Sequence, residues 1–305
     1  DVILVYPGVY TENVDFDGKS ITLRSSGGAT STTIQGTSQA IYLHNSENGD
    51  TRIEGFTLKS TGSYILNVNG ADPTFTDCVV SGGRSSYGGY FLNSDATLDN
   101  VVYQDNQVTY NLYRQSSNLL ISGSSFLNNR SSSHGGGIHM QSSSTAEVLD
   151  TQFIGNTAGS YGGAIYVTGA QSLTVDNSVF RDNSANYGGA IAFGSASGSS
   201  RLSNLEMTGN EANTNGGAMW LSSAKVHIND VAFADNVATA GGGIYVSSSA
   251  RVAVHNSTFI VNDAAKGGHI YQYRSSDLQL LQNIFTQSTG GFAVETERAD
   301  ARFVA

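Results

Sequence analysis

The residues best suited to chemistry in this chain are its histidines, its turn carboxylates and a set of tyrosines placed around Gly-Gly pairs. Six histidines stand at positions 44, 134, 139, 227, 255 and 269. A zinc centre needs three or four ligands in fixed relation. His134 and His139 flank the glycines of HGGGIH, but no third ligand keeps a fixed spacing to them, so surface or stacked histidines are expected and no metal centre. Asp-rich turns offer oxygen ligands for Ca2+, yet the nonapeptide Ca2+ repeat is absent. Calcium stays as an option only, and no cofactor is expected. Cys78, the single cysteine, lies in the apolar run TFTDCVV and reads as a small buried hydrophobe rather than a reactive thiol.

The aromatic residues give a sharper pattern. If the Ile after Gly-Gly-Ala points inward, the next residue points outward, because strand side chains alternate. That outward column reads Tyr42, Leu66, Leu92, Tyr113, His139, Tyr166, Ala192, Trp220, Tyr245 and Tyr271. A neighbouring column before the doublets adds Tyr87, His134, Tyr161 and Tyr187. Rings repeated along an exposed sheet present flat apolar platforms with a polar rim, suited to stacking on sugars or to a protein partner. The same rings can equally stack on one another and shield the sheet. The expected binding residues are Tyr42, Tyr113, His139, Tyr166, Trp220, Tyr245 and Tyr271.

Such columns exist only if the chain repeats. From Gly136 onward the Gly-Gly pairs advance by 27, 26, 28, 25, 26 and 23 residues. A Phe-x-x-Asn marker runs in phase, with its asparagines at Asn106, Asn129, Asn156, Asn183, Asn210, Asn236 and Asn262. Three residues before each aromatic stands a type that tolerates the left-handed region: Asn100, Gly123, Asp150, Asn177, Asn204, Asp230 and Asn256. Between the turns lie short alternating runs such as SLTVD and KVHIND, a strand signal, and no window carries a helical period.

A unit of about 25 residues cannot bury its own apolar face, so units must stack, each strand pairing in parallel with its counterpart one unit along. The fold read from the sequence is all-β: a right-handed, single-stranded parallel β-helix of about eleven coils. Glycine pairs would allow sharp corners and close backbone approach. The asparagines would form a structural amide ladder along the axis. The whole chain, 1–305, reads as one domain: an opening coil at 1–36, degenerate coils at 37–125, regular coils at 126–293, and an unfinished coil or extension at 294–305.

Composition limits the partners. The formal charge is −10, with 15 Lys and Arg against 25 Asp and Glu, which opposes nucleic acid. No run of apolar residues is long enough to span a bilayer. Few lysines with abundant Ser, Thr, Asn and Gly point to secretion or the cell surface. Asn129-Arg-Ser and Asn256-Ser-Thr are N-glycosylation sequons, although each coincides with a repeat position.

At the GGAI and FxxN residues the sequence resembles the repeats of polymorphic outer-membrane proteins and related bacterial surface β-helices, within the pectate-lyase-like superfamily. The resemblance covers roughly residues 80 to 293. The opening, VILVYPGVYTENVDFDGKSITLRSSGGATSTTIQG, is similar to the first coil of many secreted proteins of that superfamily. What the resemblance implies is the fold and an extracellular setting; one fold hosts many activities. The carboxy-terminal transporter barrel of the outer-membrane proteins is not in this sequence, which stops at ERADARFVA, partway into what reads as a further coil.

Polysaccharide-cleaving members of that superfamily use a basic residue beside Ca2+ or clustered carboxylates. Here Arg and Lys are scattered, and the NTD, DD, GHG and RIK series of polygalacturonases and the aspartate motifs of pectin methylesterases are missing. The expectation is a non-catalytic, extracellular or cell-surface structural or adhesive β-helix, meeting glycan or protein through its aromatic column, its ends near Val2 and Phe303 either joining copies head to tail or continuing into further coils. The alternative is a lyase or glycosidase acting on an acidic polysaccharide.

Overall fold

The computed structural model describes residues 1–297; the expected unfinished coil near Phe303 lies outside the described residues. Among the described residues every regular element is a β-strand. One turn of the coil runs through Thr145–Leu149, Gln152–Ile154, Thr157–Ala158 and Ile165–Ala170. Each segment pairs in parallel with its equivalent one turn later, Thr145 with Ser172, Gln152 with Val179, Thr157 with Ser184 and Ile165 with Ile191.

The strands form sheets of 22, 12 and 8 members. The largest is two ladders, joined where Ser199–Thr208 and Lys225–Ala234 pass unbroken through the bend between them. The 12-stranded sheet runs from Val14–Asp15 to Val294–Thr296, so its rungs define about eleven turns. At roughly 4.8 Å per rung the stack is about 50 Å tall.

Two kinds of corner bend the chain. Between the two ladders, Asn100, Asp150, Asn177, Asn204, Asp230 and Asn256 hold φ between 47° and 54°, the left-handed region that Asn and Asp tolerate. A second left-handed residue precedes each ladder asparagine, at Asp105, Asn128, Gly155, Asp182, Gly209 and Asp235. Val261 fills this position before Asn262 at φ 49°, where a β-branched side chain is strained.

The Gly-Gly pairs divide the work. Gly162 and Gly188 take φ of 63° and 64°. Their successors sit where a Cβ at Gly163 would fall 2.0 Å from the Gly189 carbonyl oxygen, and one at Gly189 2.1 Å from that of Gly217. Backbones therefore touch along the axis, and only glycine fits. Gly88-Gly89 departs from this series: Gly89 pairs with Leu112 in the 12-stranded sheet, so that doublet lies in a strand rather than at the corner.

Inside, Tyr103, Phe126, Phe153 and Phe180 stack at centroid separations of 5.1, 4.8 and 4.8 Å. After Met207 the stack resumes with Phe233, Phe259 and Phe285 at 4.6 and 4.9 Å. Beside it the asparagines form a closed network. Asn156 donates Nδ2 to Asn183 Oδ1 at 3.0 Å and to the Phe126 carbonyl at 2.8 Å, while its backbone N–H also donates to Asn183 Oδ1. The same bonds repeat from Asn106 and Asn129 through Asn210 and Asn236 to Asn262. Each amide is buried and satisfied at a corner where strand bonding is interrupted.

Candidate functional site

The outward face of the 12-stranded sheet carries the rings in two columns. Strand alternation sends one residue of each rung outward, and parallel register lines it up with its counterparts. The register reads Tyr42, Asn67, Tyr90, Tyr113, His139, Tyr166, Ala192, Trp220, Tyr245 and Tyr271. This corrects the sequence-based column at two places. Leu66 pairs with Ile41 and Gly89 and points into the core, and Leu92 lies two positions further along its strand, opposite Gln115. Turn lengths vary in these early coils, so counting from a doublet loses the phase.

The second column begins earlier than expected, as Tyr64, Tyr87, Tyr110, His134, Tyr161 and Tyr187. The two columns interlock. Tyr87 lies 5.2 Å from Tyr64, 5.6 Å from Tyr110 and 5.0 Å from Tyr90 between ring centroids. His139 sits 5.3 Å from Tyr113 and 5.1 Å from Tyr166, and Tyr161 lies 5.0 Å from Tyr187 and 5.2 Å from Trp220.

This packing changes what the face offers. Many rings stack nearly parallel along the axis, Tyr90 on Tyr113 at 1° for example, so their faces cover one another. Of the two arrangements the sequence allowed, open platforms and rings stacked on one another, these contacts form the second. Of the expected binding residues, His139, Tyr166, Tyr245 and Tyr271 are buried, while Tyr42, Tyr113 and Trp220 are half-buried. Tyr42 is set apart by Asn67 and stacks on His44 at 4.0 Å.

The middle of the strip is uncharged around pH 7, whereas at its far end Tyr271 donates to the Glu297 carboxylate and Lys266 lies 5.8 Å from the Tyr271 ring centroid. Burial lowers the His139 pKa to about 3, with His134 beside it adding to the effect, and burial lowers that of His134 as well. Burial also pushes the Tyr113 phenol up to about 12 and raises those of Tyr87, Tyr90 and Tyr166. Neither ring nitrogen of His139 has a hydrogen-bond partner among the described residues. A neutral imidazole amid phenols is a weak proton acceptor, far from the pKa near 7 that suits a general base.

A family profile described as a right handed beta helix region matches residues 19–180 and 151–304. The chain belongs to that family. No curated protein matches this right-handed β-helix in sequence. Among solved structures it is similar to the catalytic unit of a thermostable GH87 alpha-1,3-glucanase from Streptomyces thermodiastaticus, at 11% identity over 95% of this chain with a TM-score of 0.42. The chain spans 64% of that unit's length. It is also similar to the A-modules of two mannuronan C-5 epimerases from Azotobacter vinelandii, each at 12% identity and TM-score 0.35, over 100% and 98% of this chain and 90% and 91% of theirs. Likeness at this level concerns fold and carries nothing about substrate.

Other sites in the β-helix are placed as follows. Among the described residues no group of three or more His, Cys, Asp or Glu gathers to hold a metal ion. Asn129 is 1% exposed and donates both amide hydrogens, to the Tyr103 carbonyl and to Asn156, so its sequon is blocked in the folded chain. Asn256 belongs to the exposed left-handed turn series and not to the amide ladder. Cys78 is buried, its pKa raised to about 12 by desolvation. No helix among the described residues is long and apolar enough to cross a membrane.

Proposed function

We propose that this β-helix is a non-catalytic structural and adhesive module, working outside the cell or on its surface, whose aromatic strip meets a glycan or protein ligand. The observation that carries the reading is a neutral double column of rings fixed on a rigid sheet. Ring edges give apolar contact, and phenolic hydroxyls give donors that do not ionise near neutrality. The hydroxyls of Tyr87, Tyr90, Tyr161 and Tyr187 make no hydrogen bond among the described residues, which leaves them for a ligand. Such a surface suits an uncharged, hydroxyl-rich chain lying along the axis. Immobilised-glycan binding followed by calorimetry tests this, and retention of full affinity after removal of the Tyr87, Tyr161 and Trp220 rings removes the strip from the reading.

The enzyme alternative is favoured by one arrangement, the gathering of His134 and His139 with Tyr110, Tyr161 and Tyr166. The depressed imidazole pKa values weigh against proton abstraction there. Incubation with acidic polysaccharides, monitored for unsaturated products, distinguishes the two readings; sustained turnover supports the enzyme.

Head-to-tail association belongs to the same proposal. The strand Val2–Val5 pairs on one side with Thr22–Ser25, and Val2, Ile3 and Leu4 are exposed. A parallel edge with apolar side chains is a template for another strand, from a second copy or from a further coil of the same chain. Asn256, exposed on its turn, is the sequon we propose as able to carry a glycan.

A further inference from the structure

We propose that the outward face of the first ladder of the large sheet, across the rungs that begin at Ser199, Lys225 and Arg251, binds a linear anionic glycan. This surface lies on a different sheet from the aromatic strip and does not depend on its function.

The chain is acidic overall, at −10, yet stacking collects its scarce cations here. Register places Lys225 beside Arg251 and Arg201 beside His227, with His255 next to Asn229. Arg201, Lys225, His227 and Arg251 are exposed, and His255 is half-buried. None of these five has an ion-pair partner among the described residues, whereas Arg24, Arg181 and Arg274 are paired with Glu54, Glu206 and Glu297. Few carboxylates lie among them, and Asp230 already accepts from Asn229 Nδ2. Asp277 stands opposite Arg251, and Asp176 is already bonded to Ser203 and Asn204. Burial, followed by the charges of Lys225, Arg201 and His255, lowers the pKa of His227, so the cations repel one another and an anion would relieve them.

Shape and neighbours define the ligand. Arg201, Ser203, Asn229 and His255 line one shallow depression, Lys225, Arg251, Gln279 and the single carboxylate Asp277 an adjoining one, and His227 borders both. Cations thus recur on successive rungs roughly 4.8 Å apart in two adjacent columns, Lys225 with Arg251 and Arg201 with His227, flanked by hydroxyl and amide groups. A polysaccharide with a carboxylate or sulfate at regular intervals fits that pattern, charge to cation and sugar hydroxyl to Ser, Asn and Gln. These outward positions hold no Phe, Tyr or Trp for stacking bases, and the chain's net charge repels nucleic acid. An acidic peptide finds no open strand edge here, because each rung is bonded on both sides.

The test is calorimetric titration of the whole chain with oligogalacturonate, with a sulfated oligosaccharide and with a neutral oligosaccharide of similar length. The expected result is binding of at least one anionic probe that weakens about tenfold or more between about 50 and 200 mM salt. Replacing Arg201, Lys225 and Arg251 by Ser should lower affinity at least about tenfold while the melting transition stays in place. Lys59→Ser with Arg130→Ser, exposed cations elsewhere, should leave binding unchanged. A single Lys225→Gln serves if the triple variant melts early. The proposal is overturned if neither anionic probe binds, if binding survives the substitutions, or if neutral oligosaccharide or poly-glutamate binds as tightly. The two anionic arms decide between carboxylate and sulfate.

Discussion

At the last rung of the amide ladder, Asn262 Nδ2 lies 3.1 Å from His269 Nδ1, and His269 Nε2 lies 2.9 Å from the Thr286 carbonyl oxygen. The pair fixes the tautomer. Nε2 carries the hydrogen, and Nδ1 accepts from the asparagine. A ring protonated at both nitrogens would set donor against donor and open the end of the ladder.

Acid should therefore destabilise the protein. His269, His134 and His139 all have pKa values lowered by burial, His139 to about 3. A group with a depressed folded pKa binds more protons unfolded, so its contribution is complete above about 6.5 and is lost as pH falls toward the folded value. The His139 shift alone is on the order of 5 kcal/mol. Urea unfolding between pH 7 and about 3 should show this decline, and His139→Phe should flatten it. A pH-independent midpoint would contradict the buried neutral imidazoles.

Within the ladder, Asn183→Ala removes bonds to Phe153, Asn210 and Asn156 together. The expected loss is about 2–5 kcal/mol, because buried partners are left unsatisfied. Asn183→Asp should cost at least as much, since a carboxylate cannot donate to the Phe153 carbonyl. Denaturant midpoints compare the two.

Val261 is a correctable strain. It is 43% exposed and takes a left-handed conformation that Asp or Gly fills in neighbouring coils. Val261→Asn or Val261→Gly should stabilise by about 1 kcal/mol, read as a higher melting temperature.

Gly163→Ala should be severe, because the new methyl meets the Gly189 carbonyl oxygen from the next turn. A loss above about 3 kcal/mol is expected, while Gly49→Ala, with nothing within 4 Å, should stay within about 0.5 kcal/mol.

Joint replacement of Tyr87, Tyr161 and Trp220 by Ala should reduce ligand capture by about tenfold or more if ring edges and hydroxyls form the binding face. Tyr87→Phe with Tyr161→Phe keeps the stacking and removes only hydroxyls, so it reports the hydrogen-bonded share. For association, a charge at Ile3→Asp should disperse assemblies seen by electron microscopy.

Much of the fold was legible because a solenoid turns sequence period into spatial column. Phe126, Phe153 and Phe180 recur at one spacing, so they must stack, and Asn129, Asn156 and Asn183 follow three residues behind. Asn or Asp at the turn positions announced the left-handed corners, since few other side chains rest there. Arg114, which the sequence reading did not single out, is buried on the same strand as Leu112 and donates to the Ser117 carbonyl.

Local sequence, by itself, determined the period, the corners and the inward residues, because each depends on backbone preference and on burying a repeated apolar face. Only the tertiary structure decided the rest. It replaced Leu66 with Asn67 and Leu92 with Tyr90 in the outward column and closed ring faces against one another. It also brought Arg201, Lys225 and Arg251 onto one surface. Those outcomes depend on the register between turns, where one residue more in a loop moves a side chain from solvent to core.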